Sequence, residues 1–211
     1  MSKIKIVGVG GAGSNIVGYM FLKGIEEVQF IVMNTDEASL KANVCPDKVL
    51  LETDKPLKDP LSGRESVIYS QQKVIEVLQG GKVLILVAGL GGNTATSALA
   101  PIVEIAKDLG MYVVCMVTTP FEIEGKERLL HAHRTVIDLK VIADNVVVFH
   151  NEMFKKMLSD EATFKDVFEA LNCRFLDGNR YIVSLFDFNS DYNDVTDIRQ
   201  LAEDIKNHDF Y

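Results

Sequence analysis

Two glycine-rich segments carry the first chemical signal in the chain. Gly8-Val9-Gly10-Gly11-Ala12-Gly13-Ser14-Asn15 follows an apolar, β-branched run and leads into a helical pattern. Gly89-Leu90-Gly91-Gly92-Asn93-Thr94-Ala95-Thr96-Ser97 has the same placement farther on. Glycine allows φ > 0 and lets the backbone approach a phosphate, which then meets the unpaired N–H groups of a helix N-terminus. One such loop fits the G-x-G-x-x-G dinucleotide fingerprint and other phosphate loops alike. Two loops, the second with hydroxyls at Thr94, Thr96 and Ser97, predict a longer phosphate chain gripped from two sides. No G-x-x-x-x-G-K-[ST] occurs, so the chain is not a P-loop NTPase.

Other groupings invite chemistry and fail on spacing. Asp187-Phe188-Asn189-Ser190-Asp191-Tyr192-Asn193-Asp194 alternates oxygen ligands like an EF-hand, but Tyr192 stands where the turn needs glycine and Ile198 where it needs glutamate. His131-Ala132-His133 places its imidazoles about 200° apart on a helix, whereas a two-His metal site needs i, i+4 spacing. No metal-ligand set is assigned to the protein.

The elements that must position the two loops are legible from periodicity. Strands are expected at Lys3–Val9, Val28–Met33, Lys48–Leu51, Lys82–Ala88, Met111–Thr118 and Asn145–His150. Runs such as Val83-Leu84-Ile85-Leu86-Val87 suit parallel strands covered on both faces. Helices are expected at Ser14–Lys23, Arg64–Leu78, Thr96–Leu109, Lys126–Val141, Met153–Leu158 and Thr163–Arg180, with Gly110 ending the third of them and a further helix at Val195–Lys206. The alternation predicts a doubly wound, mostly parallel six-stranded α/β sheet with helices on both faces, its ligand at the carboxyl ends of the strands. Glu52–Gly63 reads as a surface loop.

Composition bounds the function. Of 211 residues, 22 are Lys or Arg and 30 are Asp or Glu, a formal charge of −8, which argues against non-specific nucleic-acid binding. No run approaches the roughly 18 apolar residues of a membrane span. Met1–Gly8 reads as a first strand rather than a signal peptide. Cys45, Cys115 and Cys173 are odd in number and form no C-x-x-C, which predicts reduced thiols in a cytoplasmic protein.

The order of motifs resembles the tubulin/FtsZ family. It is carried by Gly8–Asn15, Asn34-Thr35-Asp36, Gly89–Ser97, Thr118–Arg128, Phe149-His150-Asn151-Glu152, Phe164–Asn172 and the N-x-D-aromatic-x-D-V run Asn189–Val195. The resemblance implies a Rossmann-like GTPase fold, with residues 1–160 as the nucleotide-binding domain. Residues 161–211 would form a central helix, a synergy loop and a following helix on the same domain. It further implies that Gly10, Gly11, Asn15, Gly91, Gly92, Thr94 and Thr96 hold the phosphates of GTP or GDP, with Mg²⁺ accompanying GTP. Glu124 and Arg128 would lie near ribose and phosphate; Asn151, Phe168 and Asn172 would hold guanine. Asp191 and Asp194, with Asn189, would enter a neighbouring subunit's pocket to position the attacking water. The partner is then a second copy or a full-length FtsZ-type protein.

Departures from the family bear on function. Asn93, Ala95 and Ser97 stand at family glycines, and Ala95, if held at φ > 0, would cost about 1 kcal/mol. Pro56–Arg64 keeps an Asp-Pro…Gly-Arg frame without the preceding glycines, and Asn172–Asn189 is shorter than the family's stretch. The family's second domain is expected to lie outside these 211 residues, whether the chain is a single-domain relative or a fragment. Two alternatives to an assembly-completed GTPase remain open. One is a non-hydrolysing protein that caps or regulates filaments. The other is a dinucleotide oxidoreductase, suggested by Gly8–Gly13 and Asp36.

Overall fold

The computed structural model describes residues 2–52, 62–158 and 161–186, together with 203 and 205. Six strands alternate with helices: β1 (Ile4–Val9), α1 (Gly10–Lys23), β2 (Val28–Asn34), α2 (Glu37–Ala42), β3 (Asp47–Leu50), α3 (Ser62–Tyr69), α4 (Gln71–Leu78) and β4 (Val83–Gly89). Then follow α5 (Asn93–Asp108), β5 (Tyr112–Thr119), α6 (Lys126–Ile142), β6 (Asn145–His150), α7 (Asn151–Met157) and α8 (Phe164–Leu185). The strands form one sheet in the order β3-β2-β1-β4-β5-β6, and every pairing is parallel.

Alternation along each strand feeds two cores. Ile4, Ile6, Ile85 and Val114 point to one face, under Ile16, Val17 and Met20 of α1 and Val167, Leu171 and Phe175 of α8. Val7, Val9, Leu84, Leu86 and Val113 point to the other, under Val67 of α3, Leu78 of α4, Leu99 and Ile102 of α5, and Leu139 of α6. A sheet covered on both faces is why these strands are apolar at nearly every position. Lys5 is the exception on β1. It is buried, and its Nζ donates to Gln29 Oε1 at 2.6 Å while Gln29 Nε2 donates to Asp47 Oδ2 at 2.7 Å. Burial pushes the Lys5 ammonium down, and the Asp47 carboxylate partly restores it.

Local signals explain most boundaries. Gly110, at φ +73°, follows the end of α5 and donates its N–H to Lys107 O at 2.9 Å. Thr163 and Asp166 make a capping box at the start of α8. The single helix expected over Arg64–Leu78 is instead two, broken at Ser70 (φ −96°, ψ 15°), whose Oγ accepts the N–H of Glu52 at 2.8 Å. A six-residue helix, α2, lies where periodicity gave none, because one and a half turns show no amphipathic repeat; Asp36 caps it through the N–H groups of Ala38 and Ser39. Of the expected loop at Glu52–Gly63, residues 53–61 lie outside the described residues, while Ser62 and Gly63 open α3 and are buried. The helix expected at 195–206 also falls almost wholly outside them.

Candidate functional site

The chain winds from β1 out to β3, returns to β4 and continues to β6, so the sheet reverses its winding between β1 and β4. Helices leaving these two strands diverge to opposite faces and open a crevice at the carboxyl ends. Val9 pairs with Ala88, which sets the two glycine loops side by side.

Close packing explains several glycines. A Cβ on Gly13 would meet the carbonyl oxygen of Val87 at 2.3 Å, so α1 lies directly against β4. Gly10 has φ +70°, and a Cβ there would approach the Ala95 methyl at 3.3 Å: the loops touch. Gly11 and Gly92 have nothing within 4 Å of an added Cβ and face open space at the N-termini of α1 and α5. Gly91, at φ +95°, turns the second loop; its N–H donates to Thr96 Oγ1 at 3.0 Å, and Leu90 N–H donates to Thr118 O at 2.9 Å.

The strain expected at Ala95 is absent. Helix α5 begins at Asn93, capped by Gly92, so Asn93, Ala95 and Ser97 are all helical, and Glu27 is the one non-glycine with positive φ among the described residues. The left-handed requirement ends at Gly91 because the helix starts earlier than the Thr96 expected from pattern. The hydroxyls are distinguished by their partners. Ser97 Oγ donates to Asn93 O at 2.8 Å; Thr96 Oγ1 accepts from Gly91 and keeps its own proton to donate; Thr94 Oγ1 lies 3.0 Å from Thr35 Oγ1.

From the open N-termini of α1 and α5 a series of contacts leads toward α8. A Cβ on Gly91 would lie 3.0 Å from Pro120 Cγ and 3.4 Å from Arg128 Cβ. Arg128 Nη1 donates to Glu124 Oε2 at 2.9 Å, and Glu124 Oε1 accepts the N–H of Phe121 at 2.9 Å, fixing the turn after β5. The Phe121 ring packs edge-on against Phe164 and Phe168, with centroids 5.0 and 5.9 Å apart. Phe168 is 50% exposed, so it is not a core aromatic: it presents ring surface at the rim. Asn151 opens α7 and is 5% exposed, and its Oδ1 has no hydrogen-bond partner among the described residues, an unused acceptor facing an energetic cost of about 1–3 kcal/mol. The neighbouring Glu152 Oε2 accepts the N–H of Glu122 at 3.2 Å, tying this strand exit to the same turn.

Asn15 is exposed on the second turn of α1, and Asn172 is half-buried on α8 one turn beyond Phe168. Asn189, Asp191 and Asp194 lie outside the described residues. Asp36, the ribose ligand of the oxidoreductase alternative, has its carboxylate engaged by Ser39 Oγ and by the α2 amides, which hold it below the usual carboxylate range. His131 and His133 flank the buried Ala132 on α6, and no three metal-ligating side chains converge among the described residues. Residue types alone did not single out Thr35 or His150. His150 Nδ1 lies 3.2 Å from Thr119 Oγ1, and burial, then the nearby His133 and Lys140, push its imidazolium down. The prior signals were their place at strand carboxyl ends and their membership of the Asn34-Thr35-Asp36 and Phe149–Glu152 motifs.

Residues 3–159 match the family described as "Tubulin/FtsZ family, GTPase domain". A cell division protein FtsZ from Aquifex aeolicus is 32% identical over 208 residues, covering 96% of this chain and 57% of that protein. One from Buchnera aphidicola (subsp. Acyrthosiphon pisum) is 35% identical over 174 residues, 80% of this chain and 45% of that protein. The chain thus spans about half the length of the curated relatives it matches. Among solved structures, an empty FtsZ dimer from M. jannaschii superposes with TM-score 0.84 at 27% identity, covering 96% of this chain and 60% of that one. CetZ2 from Haloferax volcanii, at 20% identity and TM-score 0.76 over 89% of this chain and 61% of that one, shares the fold. No helix among the described residues is long and apolar enough to cross a membrane.

Proposed function

The chain belongs to the tubulin/FtsZ family, and from that premise we propose that it binds guanine nucleotide in the crevice between β1 and β4 and hydrolyses GTP when a second subunit completes the site. The observation that carries this reading is the meeting of the two loops, Gly10 against Ala95, with the open N-termini of α1 and α5 on either side. Two helix N-termini facing one space favour a polyanion without any net basic charge.

The base end supports guanine. Guanine presents N–H donors on the edge where adenine presents an acceptor, and Asn151 Oδ1, without a partner among the described residues, is an acceptor. Phe168 offers a face for stacking, Asn172 follows it by one turn, and Glu124 and Arg128, at the rim between the two ends, suit ribose hydroxyls and phosphate. The described polar side chains around the loops are hydroxyls, amides and the Arg128 guanidinium, with Glu124 already paired to that arginine and Asp36 already capping α2. That set fits a phosphate chain, and Mg²⁺ accompanying GTP would supply positive charge beside the phosphates rather than rely on protein carboxylates. Gly10, Gly11 and Gly92 bring backbone N–H groups to the phosphates, Gly91 turns the loop beneath them with its own N–H on Thr96 Oγ1, and Asn15, Thr94 and Thr96 add side-chain donors. Asp191 and Asp194, with Asn189, orient water in a neighbour's pocket; the partner is a second copy or an FtsZ-type protein, in keeping with the dimer seen for the M. jannaschii relative. The role is cytoskeletal, in the cytoplasm at cell division.

A non-hydrolysing, filament-regulating role draws on the same place, since Ala95 puts a methyl group between the loops where the family's pattern has glycine. One experiment separates the readings. Denaturing the purified protein and chromatographing the supernatant should release GDP or GTP, and added GTP should raise the melting temperature where ATP does not. Equal shifts with ATP and GTP remove the guanine assignment; no released nucleotide and no shift favour the regulatory role. With no tryptophan in the chain, circular dichroism or an extrinsic dye is the readout.

A further inference from the structure

The hydroxyl pair Thr35–Thr94 joins the end of β2 to the first turn of α5, and neither the loop pattern nor the helix dipoles require it. The two Oγ1 atoms are 3.0 Å apart across 59 residues of sequence. Thr35 is presented by a fixed turn: the buried Asn34 accepts at Oδ1 from the N–H groups of Thr35 (2.8 Å) and Asp36 (3.4 Å), and Asp36 is itself anchored as the cap of α2. Thr94 is the second residue of α5, next to the open face at Gly92.

A threonine hydroxyl has one proton to give and two lone pairs to receive with. If Thr94 spends its proton on Thr35, it has none for an anion. If Thr35 donates to Thr94, the Thr94 proton is free to point at a phosphate oxygen, and the chain Thr35 O–H to Thr94 O–H to phosphate is polarised in one direction. The contact also selects one rotamer of a β-branched side chain that has few. We propose that Thr35 is a positioning residue of the phosphate site, donating to Thr94 so that Thr94 donates to the bound phosphate. The proposal rests on reading the Gly89–Ser97 loop as a phosphate site.

The test is a double-mutant cycle read by calorimetric titration with inorganic tripolyphosphate, run beside GTP and ATP. Thr35→Val keeps the shape and removes the proton, and should weaken tripolyphosphate binding about three- to tenfold, the range of one hydrogen bond. Thr35→Ser should restore wild-type affinity. Thr94→Val should weaken binding at least as much, and adding Thr35→Val to it should cost nothing more, because the relay is already cut. Thr35→Ala removes the same proton without adding bulk and should match Thr35→Val. Additive losses, a serine variant as weak as valine, or a loss confined to valine would overturn the relay and leave a packing contact. The guanine reading fails separately: wild type that binds tripolyphosphate but treats GTP and ATP alike sinks the base assignment while the cycle still decides Thr35. Wild type that binds no polyphosphate removes both.

Discussion

Ala95 lies in the first turn of α5 with its methyl buried against the neighbouring loop, and it has no left-handed backbone to maintain. Replacing it with glycine therefore relieves nothing. Ala95→Gly should destabilise the fold by about 1 kcal/mol through lost helix propensity, read as a lower urea midpoint at unchanged m-value. Cysteine reactivity is equally local. Burial pushes the Cys45 thiol up to about 11 and the Cys115 thiol up to about 12, whereas Cys173 is exposed on α8. A thiol reagent should thus modify one cysteine in the native protein and all three after denaturation, with Cys173→Ser abolishing the native reaction. At His150 the folded state disfavours the imidazolium relative to the ordinary value of 6.5, so below that pH the unfolded chain takes up its proton first. This group's contribution to stability is complete above pH 6.5 and falls as the pH drops toward the depressed folded value. His150→Gln should flatten the pH dependence of the melting temperature on the acid side of 6.5 and leave it unchanged above.

Two glycines of α1 sit two residues apart and do opposite things. Gly13 is the contact point of the helix with β4, and a methyl there meets the Val87 carbonyl at 2.3 Å and the Ala88 Cα at 3.1 Å. Gly13→Ala should force the helix off the sheet and destabilise the protein by about 1–3 kcal/mol, seen in chemical denaturation. Gly11 is helical, has ordinary φ, and would meet nothing within 4 Å. Gly11→Ala should hold or raise stability, by up to about 1 kcal/mol, while weakening nucleotide binding in titration, since in the proposed reading the methyl would stand where phosphate approaches. Tight nucleotide binding by Gly11→Ala would move the phosphates away from the α1 N-terminus. The aromatic contact of Phe121 with Phe168 works at this scale too, because it fixes the start of α8 relative to the turn after β5.

For the whole molecule the decisive property is whether one chain suffices. Water positioning by a neighbour's Asp191 and Asp194 predicts GTPase activity that rises faster than linearly with protein concentration. Asp194→Ala should abolish turnover while leaving GTP binding intact, since in the proposed reading that carboxylate serves another pocket. Mixing Asp194→Ala with Thr94→Ala should restore part of the activity, one offering a sound pocket and the other a sound loop. A constant specific rate in dilute, demonstrably monomeric protein would make catalysis internal and take these roles away from both aspartates. The six parallel strands provide a rigid platform for either outcome, and the difference lies in what meets the carboxyl edge of the sheet.

The amino-acid order alone determined the strands, their burial on both faces, and the pair of glycine loops, because these depend on composition and period within a few residues. Val83–Val87 can be read as a two-sided buried strand with no knowledge of its neighbours, and Gly110 as a helix stop from its type alone. The doubly wound class follows from the alternation of elements and the family from motifs kept in sequence, whereas the order β3-β2-β1-β4-β5-β6 is set by tertiary strand pairing. Where α5 begins was decided by tertiary contacts: Gly91 bonds to Thr96 and Leu90 to Thr118, and with Gly92 as cap the helix opens at Asn93, so Ala95 escapes strain. The break at Ser70 is likewise set by a distant donor, Glu52. Which hydroxyl faces a phosphate, which carboxylate is already engaged by Arg128, and which aromatic keeps an exposed face depend on partners brought in from separate strands and helices. Such partners leave no periodic trace, since a hydrogen bond between residues 59 apart constrains only two side chains and none of the sequence between them.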